Sequence, residues 1–175
     1  DKSKWKYNYG ETMEHVLFGD WQICFQTYID LYNMDREPAE YKIARAKEVM
    51  EYEMSTPNND YWWWADGLYM VMPVMTKLYK VTGNQQYLDK LYEYFTYAKN
   101  LMYDEESALF YRDGKYIYPK HKTNQGLKDF WSRGNGWVFA GLAKVLQDLP
   151  ENDAHRAEYI TIYQAMAKSL ATAQQ

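Results

Sequence analysis

Apolar side chains return every three or four positions along most of this chain, the spacing of helices that bury one face. With breakers and caps placed, the pattern predicts six helices. The first covers about 20–32. The second covers about 38–54, with Pro38 in the first turn, where a missing N–H is tolerated. The third follows STPNND, takes in YWWWADGLYM at 61–70 and ends near 81 at TGN. A fourth spans about 85–101. The fifth starts near Arg133 and stops before Pro150; the sixth follows a cap at Asn152 or Asp153. Between the fourth and fifth, ALFYRDGKYIYP alternates around Asp113-Gly114, which predicts a short β-hairpin near 108–118.

The pattern also repeats. LYNMDREPAEY begins at Leu31, and LYKVTGNQQYL begins 47 residues later at Leu78. A looser copy, LQDLPENDAHRAEY, begins at Leu146, a further 68 residues on, and this longer step holds the hairpin insertion. Each unit is a helix, a turn and a returning helix. The expected fold is all-α, with three helical hairpins in series. Such units exceed the roughly 34 residues of a tetratricopeptide-type solenoid and suit the helical pairs of an α/α toroid. Three hairpins do not close a six-hairpin ring. The expectation is therefore one domain over 1–175 that forms part of a larger (α/α)6 barrel.

Composition narrows the function. At 175 residues the chain can bury on the order of 70% of its unfolded surface. A net charge of −4 argues against a nucleic-acid partner, and no apolar run is long enough to span a membrane. A single cysteine, Cys24, excludes an internal disulfide and a Cys-based metal cluster. The three histidines, His15, His121 and His155, are widely spaced, so no metal is expected. Aromatic residues reach 18%, with 19 Tyr and 7 Trp. Most of these are expected to pack helices together; the surplus suits a wet, flat ligand such as a sugar.

The chemistry-bearing residues fall at equivalent places in the repeats. Asp20, Asp66 and Arg133 stand 11, 12 and 13 residues before the repeat leucines, near the starts of the first, third and fifth helices. If those helices are the inner ones, the three side chains converge on one mouth of the ring, where helix N-termini favour anionic groups. Trp21 follows Asp20, Trp64 precedes Asp66, and Trp131 and Trp137 flank Arg133 in FWSRGNGW. A mouth with Trp faces, two acids and an arginine fork suits an acidic sugar. An Asp desolvated beside Trp is raised in pKa and can act as a general acid. The same spacing also allows Asp66 to pair with Arg133 or to cap backbone. Arg112, at the hairpin, either reaches the pocket or shapes the turn.

WWWADGLYMVMPVMTKLYKVTGNQQYLD and FWSRGNGWVFAGLAKVLQDLP, with GDWQICFQTYIDLY before them, resemble the unsaturated rhamnogalacturonyl hydrolases of glycoside hydrolase family 105, relatives of the unsaturated glucuronyl hydrolases of family 88. The resemblance covers roughly 19–175. It implies an (α/α)6 barrel and a metal-free, cofactor-free hydrolase. The implied partner is an acidic oligosaccharide, from which a 4,5-unsaturated uronic acid is removed at the non-reducing end left by pectin lyases. Asp66 is then the general acid/base, Asp20 the second pocket acid, and Trp131, Arg133 and Trp137 the substrate contacts. A cytoplasmic or periplasmic bacterial location goes with the resemblance. Family members often carry a histidine in the segment before the FW motif, where this chain reads FYRDGKY, so that role is vacant or passes to Arg112. The chain is about half a family member's length, so the pocket is expected to be completed by residues outside it. Two rivals remain: a non-catalytic carbohydrate-binding or scaffold protein on the same toroid, and a polysaccharide lyase.

Overall fold

A computed structural model describes residues 15–174 of the chain. Seven helices and one small sheet carry the described residues: α1 (Gly19–Gln22), α2 (Cys24–Met34), α3 (Ala44–Ser55), α4 (Ala65–Thr82), α5 (Gln86–Met102), β1 (Tyr103–Asp104), β2 (Leu109–Phe110), α6 (Ser132–Asp148) and α7 (Arg156–Ala173). The first predicted helix is present as α1 and α2, divided at Ile23, which itself stays helical in backbone.

Three predicted boundaries move. Pro38 lies outside any helix, and α3 begins only at Ala44, after a 3-10 turn over Glu40–Lys42. Lys42 is tied back to Asp35 and Ile43 is fully buried, so local anchoring delays the helix past the proline. The run Tyr-Trp-Trp-Trp at 61–64 precedes α4 and is not part of it. The sixth helix is entered at His155, not capped by Asn152 or Asp153. Asp153 Oδ1 takes the His155 N–H at 2.9 Å one turn earlier.

The antiparallel hairpin is present, but its turn lies earlier than Asp113-Gly114. Tyr103 pairs with Phe110 and Asp104 with Leu109. Asp104 Oδ1 accepts the Ser107 N–H inside the turn. Asp113-Gly114 does form a turn, with Lys115 N–H on Asp113 Oδ1 at 2.8 Å. Its flanks do not pair, because the backbone there is used elsewhere. The Arg112 carbonyl accepts the Ala65 N–H at 2.9 Å, and Asp113 bridges Trp64. The insertion thus satisfies an N–H that the start of α4 would otherwise leave open.

Packing sorts the helices into two sets. α1/α2, α4 and α6 lie side by side, and α3, α5 and α7 return behind them. α4 is the centre, with ten buried residues. At its crossing with α6, a Cβ on Gly141 would come within 3.1 Å of the Leu68 carbonyl and of Tyr69 Cα, so glycine permits the close approach. At the far end of the three inner helices, Lys77 reaches Asp30 at 2.5 Å and Asp148 at 3.6 Å, and Lys80 pairs with Asp148 at 2.8 Å. The ion pairs and the helix starts are therefore at opposite ends.

Candidate active site

Asp66 occupies the first turn of α4, and Arg133 the first turn of α6. The shared alignment of α4 and α6 brings the two starts together. Ile23, Asp66, Tyr69, Met70, Arg133 and Trp137 line one cleft of about 230 Å3. Tyr69 and Met70 lie three and four residues beyond Asp66, and Trp137 four beyond Arg133, so each helix presents one face. Tyr69 and Trp137 form an aromatic wall, with ring centroids 4.4 Å apart.

Burial pushes the Asp66 carboxyl above the ordinary carboxylate range. Its own backbone N–H and the Arg133 charge pull the other way; Asp20 adds to the rise and Arg112 opposes it. Among the described residues, no ion pair ties Arg133 to Asp66. The guanidinium lies over the Trp131 ring, 4.5 Å from its centroid. Gly134 allows this arrangement, since a Cβ there would stand 2.5 Å from Trp131 Cε3.

A second cleft of about 520 Å3 adjoins the first and shares Arg133 with it; Arg112, Tyr116, Asp129 and Trp131 are among its walls. Arg112 is exposed, donates to the Tyr116 hydroxyl at 2.9 Å and faces Asp113 at 3.6 Å. The structure therefore brings together Asp66, Arg133 and Trp137 in one cleft and Arg112, Trp131 and Arg133 in the other. Asp20 is exposed on α1, close enough to act on Asp66 by its charge. Trp21 is half-buried and lines neither cleft.

The three consecutive tryptophans separate into three environments. Trp62 is buried against Tyr94, with centroids 5.3 Å apart. Trp63 is 45% exposed. Trp64 is 8% exposed; its ring stacks on Phe18 at 4.6 Å and meets Gly19 and Gly67. Those glycines are the neighbours of Asp20 and Asp66. Trp64 is thus a spacer between the two acid-bearing helix starts, with most of its surface already covered.

Sequence reading missed Tyr69, Gln26 and Asn135. Tyr69 was legible in principle, three residues after Asp66 on the same helix. Gln26 and Asn135 were not, because their partners are distant in sequence. Asn135 is buried; its amide oxygen accepts the Phe110 N–H at 2.8 Å and its amide nitrogen donates to the Phe110 carbonyl at 2.9 Å. This pair fixes the insertion, and with it Arg112, to α6. No three His, Cys, Asp or Glu side chains cluster as a metal site among the described residues, and no described helix is long and apolar enough to cross a membrane.

Comparison with known proteins places the architecture. The chain is 38% identical to the unsaturated 3S-rhamnoglycuronyl hydrolase of Formosa agariphila over 62% of its own length and 30% of that protein's. The solved structure named Polysaccharide Lyase BACCELL_00875 is 69% identical, with a TM-score of 0.90, over 99% of this chain and 49% of that one. A glycosyl hydrolase family 88 structure from Bacteroides vulgatus is 60% identical, with a TM-score of 0.90, over all of this chain and 50% of that one. A family 105 structure from C. acetobutylicum, 23% identical, shares the fold with a TM-score of 0.75 over 95% of this chain and 49% of that one. The chain thus spans half or less of the length of each, and its three helical hairpins are about half of an (α/α)6 barrel. The model of glycosyl hydrolase family 88 matches residues 2–175, and the chain belongs to that family.

Proposed function

We propose that this chain is part of a hydrolase that removes a 4,5-unsaturated uronic acid from the non-reducing end of an oligosaccharide by hydrating its double bond. The observation that carries the reading is Asp66: a carboxyl raised by burial, in a cleft shared with Arg133 and the Tyr69–Trp137 wall. A protonated Asp66 gives its proton to C4 of the double bond. The resulting carboxylate takes a proton from the water that attacks C5, which regenerates the acid. The product is a hemiketal at C5. It opens to a ketone, and the exposed C1 hemiacetal expels the leaving sugar. In this reading Arg133 holds the uronate carboxylate by its fork, and Trp137 stacks on the ring; both line the Asp66 cleft. Asp20 supports the raised state of Asp66. Nothing in this route is a displacement at the anomeric carbon, so the separation of the two acids does not predict stereochemistry.

The substrate class we propose is pectin-derived rhamnogalacturonan oligosaccharide, with the barrel completed by residues outside this chain. A relative of 69% identity carries the name polysaccharide lyase, and this favours elimination as a second reading. The two differ in sign. Hydration destroys the conjugated double bond and lowers ultraviolet absorbance, whereas elimination creates that bond and raises it. The test uses the protein of full family length with an unsaturated galacturonyl–rhamnose disaccharide and with its saturated parent oligosaccharide. Falling absorbance with the former, lost in Asp66→Asn, supports hydration. Rising absorbance with the latter supports elimination. Binding without either supports a non-catalytic carbohydrate-binding protein.

A further inference from the structure

We infer that Lys144 is a positioning residue, which holds the Tyr69 ring against Trp137 and so fixes the aromatic wall of the Asp66 cleft. This rests on the hydrolase reading above. Tyr69 has to be held from outside its own helix. Pro73, four residues on in α4, has no N–H to close on the Tyr69 carbonyl, so the helix ladder does not secure this turn. α6 supplies three contacts instead. Trp137, Gly141 and Lys144 follow one another at steps of four and three residues and share one face. The Trp137 and Tyr69 ring centroids are 4.4 Å apart. A Cβ on Gly141 would stand 3.1 Å from Tyr69 Cα. Lys144 Nζ lies over the Tyr69 ring, 5.1 Å from its centroid. Lys144 sits further along α6 than Trp137 but reaches the same ring, because helical side chains lean toward the N-terminus, the end where Asp66 and Arg133 stand.

The partners of Lys144 form a closed circuit around Tyr69. The ammonium donates to Gln26 Oε1 at 2.7 Å, and Gln26 Nε2 donates to the Tyr69 carbonyl at 2.8 Å. Lys144 thus holds the ring of Tyr69, Gln26 holds its backbone, and the two hold each other. Among the described residues no carboxylate pairs with Lys144, whereas Lys77 and Lys80, at the far end of the inner helices, both pair with acids. A cation bonded to a neutral amide keeps its charge for the ring face, and that attraction weakens once the ring turns away. Removing the ammonium leaves Gln26 Oε1, on an almost fully buried residue, without this donor and Tyr69 without its cation. The charges that act most on Asp66 are those of Arg133, Asp20 and Arg112. Lys144 therefore acts on the cleft through the position of Tyr69 and not through the acid.

The experiment uses the protein of full family length and an unsaturated galacturonyl–rhamnose disaccharide. Lys144→Met keeps the length of the side chain and removes its charge and donors. It is expected to raise KM about tenfold, with a smaller change in kcat and no movement of the alkaline limb of kcat. Lys144→Arg, which retains a cation and donors, is expected to restore KM. Lys80→Met removes an ion pair at the far end of the same helices and is expected to leave KM unchanged. In a Tyr69→Leu background, Lys144→Met is expected to add nothing further to KM. A wild-type KM in Lys144→Met, an equal rise in Lys80→Met, the full rise persisting in the Tyr69→Leu background, or a shifted pH limb would each overturn the role. The crystal structure of Lys144→Met reads the same role without turnover: Tyr69 is expected to leave its contact with Trp137, and an unmoved ring overturns the role. A wild-type protein that does not turn over the disaccharide overturns the hydrolase reading, and the crystal structure then decides the positioning of Tyr69 by itself.

Discussion

The side-chain amide of Gln26 donates to the carbonyl of Tyr69 at 2.8 Å, the carbonyl that Pro73 leaves without a helical donor. Pro73 sits inside α4 and lacks the N–H that would close that turn. Gln26, on α2 and almost fully buried, replaces it, and also reaches the Met70 carbonyl at 3.0 Å. Its own oxygen accepts from Lys144 Nζ at 2.7 Å, so α2, α4 and α6 meet through one glutamine. Tyr69 and Met70 line the Asp66 cleft, and this repair of the helix therefore lies directly beneath the site. Gln26→Leu is expected to cost about 1–3 kcal/mol by orphaning the carbonyl and Lys144. In urea unfolding, adding Pro73→Ala to Gln26→Leu should recover part of that loss, because alanine restores the N–H. Strictly additive losses would contradict the repair.

The pH profile tests the electrostatics of Asp66. Burial holds its carboxyl above the ordinary value, and activity that needs the protonated acid falls as pH rises through that raised pKa. The Asp20 charge contributes to the rise. Asp20→Asn should therefore move the alkaline limb of kcat to lower pH, whatever it does to the maximum rate. An unmoved limb would remove Asp20 from the pair.

Glu53 offers a prediction about stability. It is completely buried on α3, accepts from Gln22 Nε2 at 2.6 Å, and is pushed up to about 8 by burial, which the glutamine bond only partly offsets. An unfolded chain releases this proton near the ordinary value of 4.5, while the folded chain keeps it to about 8. Its contribution is thus whole below pH 4.5 and is lost as pH rises through about 8. Glu53→Gln removes the titration. Unfolding measured from pH 5 to 9 should lose this component of its pH dependence, and the variant should be the more stable protein at the alkaline end.

Asn135 is the joint between the insertion and the inner helices. Asn135→Ala leaves the Phe110 N–H and carbonyl buried without partners, at a cost of about 1–3 kcal/mol for each group. Because Phe110 leads into Arg112, the expected kinetic signature is a higher KM for a disaccharide as well as lower stability. Lower stability with an unchanged KM would mean that the insertion holds Arg112 without this joint.

The periodicity of the chain was enough to read the helices, their pairing into three hairpins, and the equivalence of Asp20, Asp66 and Arg133. These are local or repeated signals. Helix spacing, the Thr-Gly-Asn stop before α5 and the proline beyond α6 are each written within a few residues. What the tertiary structure decided depends on partners far apart in the chain. Burial by packed helices raises Asp66; covalent neighbours alone would not. Of three adjacent tryptophans, one entered the core, one stayed exposed and one became the spacer between Gly19 and Gly67, a division that no local propensity encodes. The Asp113-Gly114 turn carries a hairpin signal, yet the open N–H of Ala65 claimed the Arg112 carbonyl and took that backbone out of strand pairing. Gln26 and Asn135 look like ordinary polar residues until the helices close over them. A buried amide is informative only once its unpaired partner is in place, and that partner is set by the fold.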